Sequence, residues 1–288
     1  PRSTPLYSSA ASDVYKRQII GSIFFVIFTL LVGTSKMALS QEIVFVGSFM
    51  IILFLLFKLS NELDANAKKM LIGTAIIIFV FRAMPGVGQG GSWFEIDVLG
   101  FDQEFLSLLG LVASFLTILG IFVLRPLMEK SSMTRLIVIL SIAGSFFILP
   151  SIAMFYGFHE FTSKFTNGFV DARFIAIFNT ALESPLGQVS MIPILAWIAQ
   201  SAPNHLKATF FAVLASFTNL ALSASNLGTK YLNQIYVITR EVKNDMGIIK
   251  TPADYSELGV LLIIVCALTL TVPILVTYIV KKLKLLSY

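Results

Sequence analysis

The sequence predicts an all-α membrane protein, a bundle of about eight transmembrane helices. Two observations carry that prediction. First, 56% of the 288 residues are hydrophobic and only 13% are charged, where a soluble domain carries about 25% charged residues; mean hydropathy is +0.85. Second, windows of about 19 residues find eight apolar runs, at 19–36, 42–58, 68–85, 104–124, 134–156, 172–200, 207–232 and 258–280. Each is long enough to cross the hydrocarbon as a helix, and far too long for the alternation of a half-buried strand.

The chain opens with PRSTPLYSSAASDVYKRQ, residues 1–18, a polar and Ser-rich lead-in without the basic-then-apolar order of a secretory signal. It is set aside as a disordered or artefactual segment, and a piece of chain preceding residue 1 is expected. The first two spans, at 19–36 and 42–58, are joined by a short loop. A charged loop at 59–67 leads to the third span at 68–85, which carries Arg82 just before Met84 and Pro85. The Gly-rich connection 86–103 invites a phosphate-loop reading. No strand precedes it and no GK[ST] closes it, so an irregular outer cap with Trp93 and Phe94 at the interface is expected instead. The fourth and fifth spans follow, at 104–124 and 134–156, with Gly110 and Gly120 read as helix-packing positions.

The sixth span is the one the chain is read around. Phe174–Gln200 is apolar apart from Glu183 and a few uncharged polar residues, and Pro185, Gly187 and Pro193 interrupt its backbone ladder. A carboxylate at that depth costs at least a few kcal/mol, which a helix lining a wet path accepts. Two readings stand for Glu183: a cavity-facing group, or one protonated or hydrogen-bonded within the bundle. Gln188 follows it in the same span. The seventh span, 207–232, places Ser216, Asn219, Ser223 and Asn226 on one helical face by steps of 3, 4 and 3. Interhelical packing is the simpler reading of that face; Asn219 is also a candidate for solute contact. The loop 233–257 reads as a surface turn or short helix before the last span at 258–280.

Lysine and arginine positions orient the spans. With the first span running outward, twelve basic residues fall inside, from Lys16 to Lys284, against seven outside, three of them in the long 233–257 loop. Both ends then lie on the cytoplasmic side, in what is expected to be a bacterial inner membrane. Arg82 and Glu183 are the only charges deep within spans. Arg82 sits about 13 residues into its span, roughly 20 Å from the inner face, and Glu183 lies near the midplane, within reach of a long side chain. A charge pair or a shared anionic solute is one reading; Arg82 snorkelling to the outer headgroups is the other.

The composition also excludes. Two His and the single Cys266 leave no metal cluster or disulfide framework to build. No nucleophile elbow, HExxH or Cys–His arrangement occurs, so no catalytic residue, metal or cofactor is expected. The net charge of +5 resides at helix ends and does not make a nucleic-acid surface.

Two stretches carry a resemblance. FRAMPGVGQGGSWFEIDVLGFDQEFLSLLGLVASFLTILGIFVLRPLMEKSSMTRLI resembles the seventh and eighth helices of the folate–biopterin transporter family of the major facilitator superfamily, on the Pro after the helix (Pro85) and the LGF of Leu99, Gly100 and Phe101. GQVSMIPILAWIAQSAPNHLKATFFAVLASFTNLALSASNLGTKYL is similar to the family's tenth-to-eleventh helix region, with Lys207 in a usually acidic place before Ala208, Thr209 and Phe210. The resemblance covers about residues 66–280. It implies a twelve-helix, major facilitator-type transporter of which the eight spans are helices five to twelve. Residues 19–58 are then the last two helices of the N-terminal half, 59–67 the inner inter-half loop and 68–288 the C-terminal six-helix half; about four N-terminal helices of the same protein are missing.

In that fold the seventh and tenth helices line the cavity, which places Arg82 and Glu183 on its wall. The expected function is secondary transport of a small organic solute, a folate or pterin, coupled to protons, with Arg82, Glu183, Gln188 and Asn219 as contacts. The alternatives are another solute (a sugar, a peptidoglycan fragment or a drug) or a non-transporting membrane protein, such as a packing subunit or a lipid-handling enzyme.

Overall fold

The computed structural model describes residues 23–35, 37–61, 63–187, 189, 191–201 and 207–285. The chain divides into two compact units, residues 1–53 and 54–288. In the first, α1 (Ile23–Gly33) precedes α2 (Ser40–Ser60), which runs on into the second unit. Gly47 brings α2 close to α1: a Cβ there would stand 3.2 Å from the ring of Phe28.

The second unit is a helix bundle. Its helices are α3 (Ala65–Arg82), α4 (Gln89–Asp97), α5 (Gln103–Val123), α6 (Arg125–Lys130), α7 (Met133–Phe155), α8 (Phe158–Phe165), α9 (Ala172–Glu183), α10 (Met191–Ser201), α11 (Lys207–Ile235) and α12 (Leu258–Lys282). Five of the described helices, α2, α5, α7, α11 and α12, are long and apolar enough to cross a membrane, with α11 counted from Phe211. The protein is an all-α integral membrane protein.

The helix starts are written locally. Asp64, Asp102, Ser132 and Asp171 each accept a backbone N–H in the first turn of α3, α5, α7 and α9, satisfying donors that have no partner inside the helix. α12 packs along α7 and α3, and α11 packs along α3. One core cluster joins Leu71, Ile77 and Ile78 of α3 to Ile137, Ile194, Leu214 and Val280 from four other helices. Another joins Phe101 and Phe105 to Met154, Ala172 and Ala176.

Three connections differ from the sequence reading. The 86–103 cap is not irregular throughout: it contains α4, which Gly88 admits by turning the chain at φ +78°. The 233–257 loop forms a two-stranded antiparallel hairpin, β1 (Val242–Lys243) and β2 (Ile249–Thr251), turning through Gly247 at φ +76°. The connection between the fifth and sixth spans holds α8, too short and too polar on one side to appear in an apolar window.

Candidate functional site

The sixth span is broken in the middle. α9 ends at Glu183, a single 3₁₀ turn covers Ser184–Leu186, and α10 begins at Met191. Pro185 has no N–H to continue the ladder and its ring crowds the preceding turn. Ser184 turns its hydroxyl back to the carbonyl of Thr180 at 2.5 Å.

The Ser184 carbonyl, which accepts the Gly187 N–H within the turn at 3.1 Å, also takes a bond from a neighbour: Thr117 Oγ1 of α5 donates to it at 2.9 Å. One turn later on α5, Gly120 lies against the backbone of Pro185, where an added Cβ would stand 2.5 Å from the proline Cα. The packing expectation for Gly120 therefore has a specific partner, the break itself. Gly110 has none; a Cβ there meets open space.

Arg82 closes α3 and reaches the restart of the broken span. Its guanidinium Nη1 lies 3.3 Å from Met191 Sδ, the first residue of α10. Among the described residues its Nε–H is buried without a hydrogen-bond partner. A cation at a helix C-terminus is favoured by the helix dipole, but a thioether is a weak acceptor. The guanidinium is thus held in place with donor capacity unspent. The residue is half-buried.

Glu183 is placed differently. Its residue is exposed at the C-terminal end of α9, where the helix dipole opposes a negative charge. Among the described residues Arg82 and Glu183 form no ion pair with each other; each stands at an edge of the same break. Gln188, between them in sequence, lies outside the described residues.

α11 carries two polar stripes, of which one bonds to another element among the described residues. Ser216, Asn219, Ser223 and Asn226 are all exposed. The packing stripe is Ser225, Thr229 and Asn233, spaced by four. Ser225 Oγ donates to Met84 O at 2.6 Å, Thr229 Oγ1 accepts the Gly86 N–H at 2.8 Å, and Asn233 Nδ2 donates to Val87 O at 3.1 Å. These bonds hold the non-helical strip that follows Arg82 and so fix where α3 stops. The four-residue period of SxxxTxxxN was the available signal. It was outweighed by the denser polar residues one face away.

At the same end of α11, an ionic knot ties α4 to the hairpin loop. Arg240 donates two bonds to Asp97, at 2.7 and 2.8 Å, and the Tyr255 hydroxyl donates a third at 2.6 Å. The bond from Arg240, then that from Tyr255, holds the Asp97 carboxyl below the usual carboxylate range. Burial, with the Asp97 bond, pushes the Tyr255 phenol up to about 12. Beneath α4 lies a cup of about 190 Å³, walled by α7 and α12 and lined in part by Ser92, Glu95, Ser151 and Leu262. Burial pushes the Glu95 carboxyl up. Among the described residues no group of His, Cys, Asp and Glu could hold a metal ion.

Residues 57–287 match the model of the BT1 family. The chain belongs to the BT1 family. The resemblance to folate–biopterin transporters is borne out by two relatives. A "Folate-biopterin transporter" of Synechocystis sp. (strain ATCC 27184 / PCC 6803 / Kazusa) is 22% identical over 158 residues, covering 55% of this chain and 31% of the relative. A "Putative folate transporter 2" of Plasmodium berghei (strain Anka) is 24% identical over 163 residues, covering 56% and 34%. The matched part of the chain thus spans about a third of each relative's length. No solved structure matches. In this BT1-family chain the matched region contains the broken span, Arg82, and the stripe on α11, and leaves out α1 and most of α2.

Proposed function

We propose that the intact protein is a secondary active transporter of a small organic solute of the folate or pterin class, coupled to protons. The observation that carries this reading is the half-buried guanidinium of Arg82 beside the break in the sixth span, with its Nε–H unpartnered among the described residues. A membrane helix tolerates an unwound segment where it faces protein or a water-filled cavity, and sites of this kind gather at such discontinuous helices.

Arg82 holds a carboxylate of the solute through its spare donors. Glu183 takes the coupling proton or an amine edge of the pterin. Gln188 and Asn219 complete the contacts, Asn219 from the exposed polar face of α11. The rest of the cavity wall comes from N-terminal helices of the same protein. Both ends of this chain lie on the cytoplasmic side of a bacterial inner membrane. The activity is transport and not catalysis, in keeping with the relatives' names.

The test is uptake of labelled folate into vesicles holding the full-length protein, with and without an imposed proton gradient. Gradient-dependent accumulation is expected, lost in Arg82→Ala and uncoupled from the gradient in Glu183→Gln. Unchanged uptake in both variants would remove both roles. Absence of uptake by folded wild-type protein would remove folate as the solute.

A further inference from the structure

The lateral wall of α7 and α9 carries an apolar groove of about 330 Å³, in which every lining residue is apolar; Leu149, Pro150 and Ala153 come from α7, Phe158 from α8, and Phe174 and Phe178 from α9. α8 crosses one end of it. Gly157 at φ +81° turns the chain sharply out of α7, and Asn167 and Gly168, both at positive φ, turn it back toward α9.

α8 has three distinct faces. Thr162 and Thr166 bind the returning chain: Thr162 Oγ1 donates to Val170 O, and Thr166 Oγ1 accepts the Val170 N–H, each at 2.8 Å. Glu160 and Lys164 form an exposed charged edge. Phe158, Phe161 and Phe165 line up on the remaining face with ring centroids 6.4 Å apart, and Phe161 and Phe165 are 65% and 82% exposed. A second file, Phe169, Phe174 and Phe178, runs from the loop down α9 with centroids 5.2 and 6.4 Å apart.

Water would not be met by six exposed phenylalanines beside a fully apolar groove, whereas a helix with an apolar face and a charged edge is what the headgroup boundary selects. The membrane-spanning character of α7 puts the groove at the depth of the acyl chains and leaves the charged edge of α8 at the polar level. We propose that this groove is a phospholipid site: one acyl chain lies between α7 and α9, and α8 rests on the headgroup boundary above it.

The test uses the full-length protein with single tryptophans, at Leu149→Trp in the groove and Phe161→Trp on α8, the other tryptophans being replaced by phenylalanine. It is reconstituted in phosphatidylcholine brominated along the acyl chain. Leu149→Trp emission is expected to fall several-fold relative to unbrominated vesicles and to resist aqueous iodide. Phe161→Trp is expected to be quenched most by bromines near the headgroup. If Leu149→Trp disturbs folding, Phe178→Trp reads the same groove from α9. In detergent, native mass spectrometry is expected to show a retained phospholipid that Ala153→Trp, which fills the groove, displaces. Quenching by iodide, indifference to bromine because protein covers the groove, or no retained lipid would each overturn the site.

Discussion

Gly120 of α5 and Pro185 of the broken span touch backbone to backbone, with the proline Cα 2.5 Å from where a Cβ on Gly120 would stand. The contact is with main chain, so it cannot be relieved by a rotamer change. Gly120→Ala is therefore expected to destabilise the full-length protein by about 1–3 kcal/mol, the usual cost of overpacking, and Gly120→Leu by more. Thermal unfolding in detergent followed by helical circular dichroism reads this; an alanine variant with unaltered stability would show that the break moves freely away from α5.

The stripe on α11 predicts an ordered series. Thr229→Val keeps the shape but removes the acceptor for the half-buried Gly86 N–H, and a loss of about 1–3 kcal/mol is expected for the orphaned donor. Thr229→Ser should restore most of it. Ser225→Ala leaves only a carbonyl short of one bond and should cost about 0.5–1.5 kcal/mol. The reverse order would mean that the strip 84–88 is not held by these bonds.

The opposite face of α11 should behave the other way. Asn219 and Ser223 are exposed, so Asn219→Leu and Ser223→Leu are expected to change stability by no more than about 0.5 kcal/mol. On the proposed function the same variants reduce uptake. Large destabilisation with parallel loss of uptake would return this face to a packing role.

The knot at Asp97 sets a pH window. Its carboxyl titrates below its unfolded value because of Arg240 and Tyr255, so its contribution is complete above the ordinary aspartate pKa, about 3.9, and is lost as pH falls through the native value. Tyr255 titrates high, at about 12, so its share is complete below an ordinary phenol's pKa of about 10 and is lost as pH rises through 12. The stability gap between wild type and Asp97→Asn should thus be flat from about pH 5 to pH 9 and narrow on either side. A gap that varies across that plateau would assign the effect to another group.

Glu95 should show the inverse sign. Burial raises its carboxyl, so native protein favours the protonated form, and stability declines as pH rises from the unfolded carboxylate value through the native one. Glu95→Gln is expected to be more stable than wild type at pH 8 and equal to it near pH 4. Equal stability at both pH values would mean that the carboxylate is solvated in the cup.

Most of the bundle was legible because apolar length is a one-dimensional signal. The windows at 104–124, 134–156 and 258–280 coincide with α5, α7 and α12 to within two residues at either end. The break was legible too, since Pro185 and Gly187 are local facts. What remained hidden depends on partners. Nothing in Gly110 and Gly120 as letters distinguishes the one that meets Pro185 from the one that meets nothing. Ser225 and Asn226 are neighbours on a helix with polar residues on more than one side, and only the position of the 84–88 strip decides between them. α8 escaped because eight residues with three faces give no long apolar run.

The broken span also has a mechanical meaning. Thr117 and Gly120 grip the 3₁₀ turn, while α10 leaves it toward α11 and α6. A turn gripped at one point and free of the helical ladder is a fulcrum. α10, of 11 residues, is about 16 Å long at 1.5 Å per residue, so a tilt of about 10° about that point would carry its far end about 3 Å while leaving α9 still. The end nearest the fulcrum holds Met191, against which Arg82 is set. The guanidinium therefore sits at the slow end of the lever, while the opposite end sweeps.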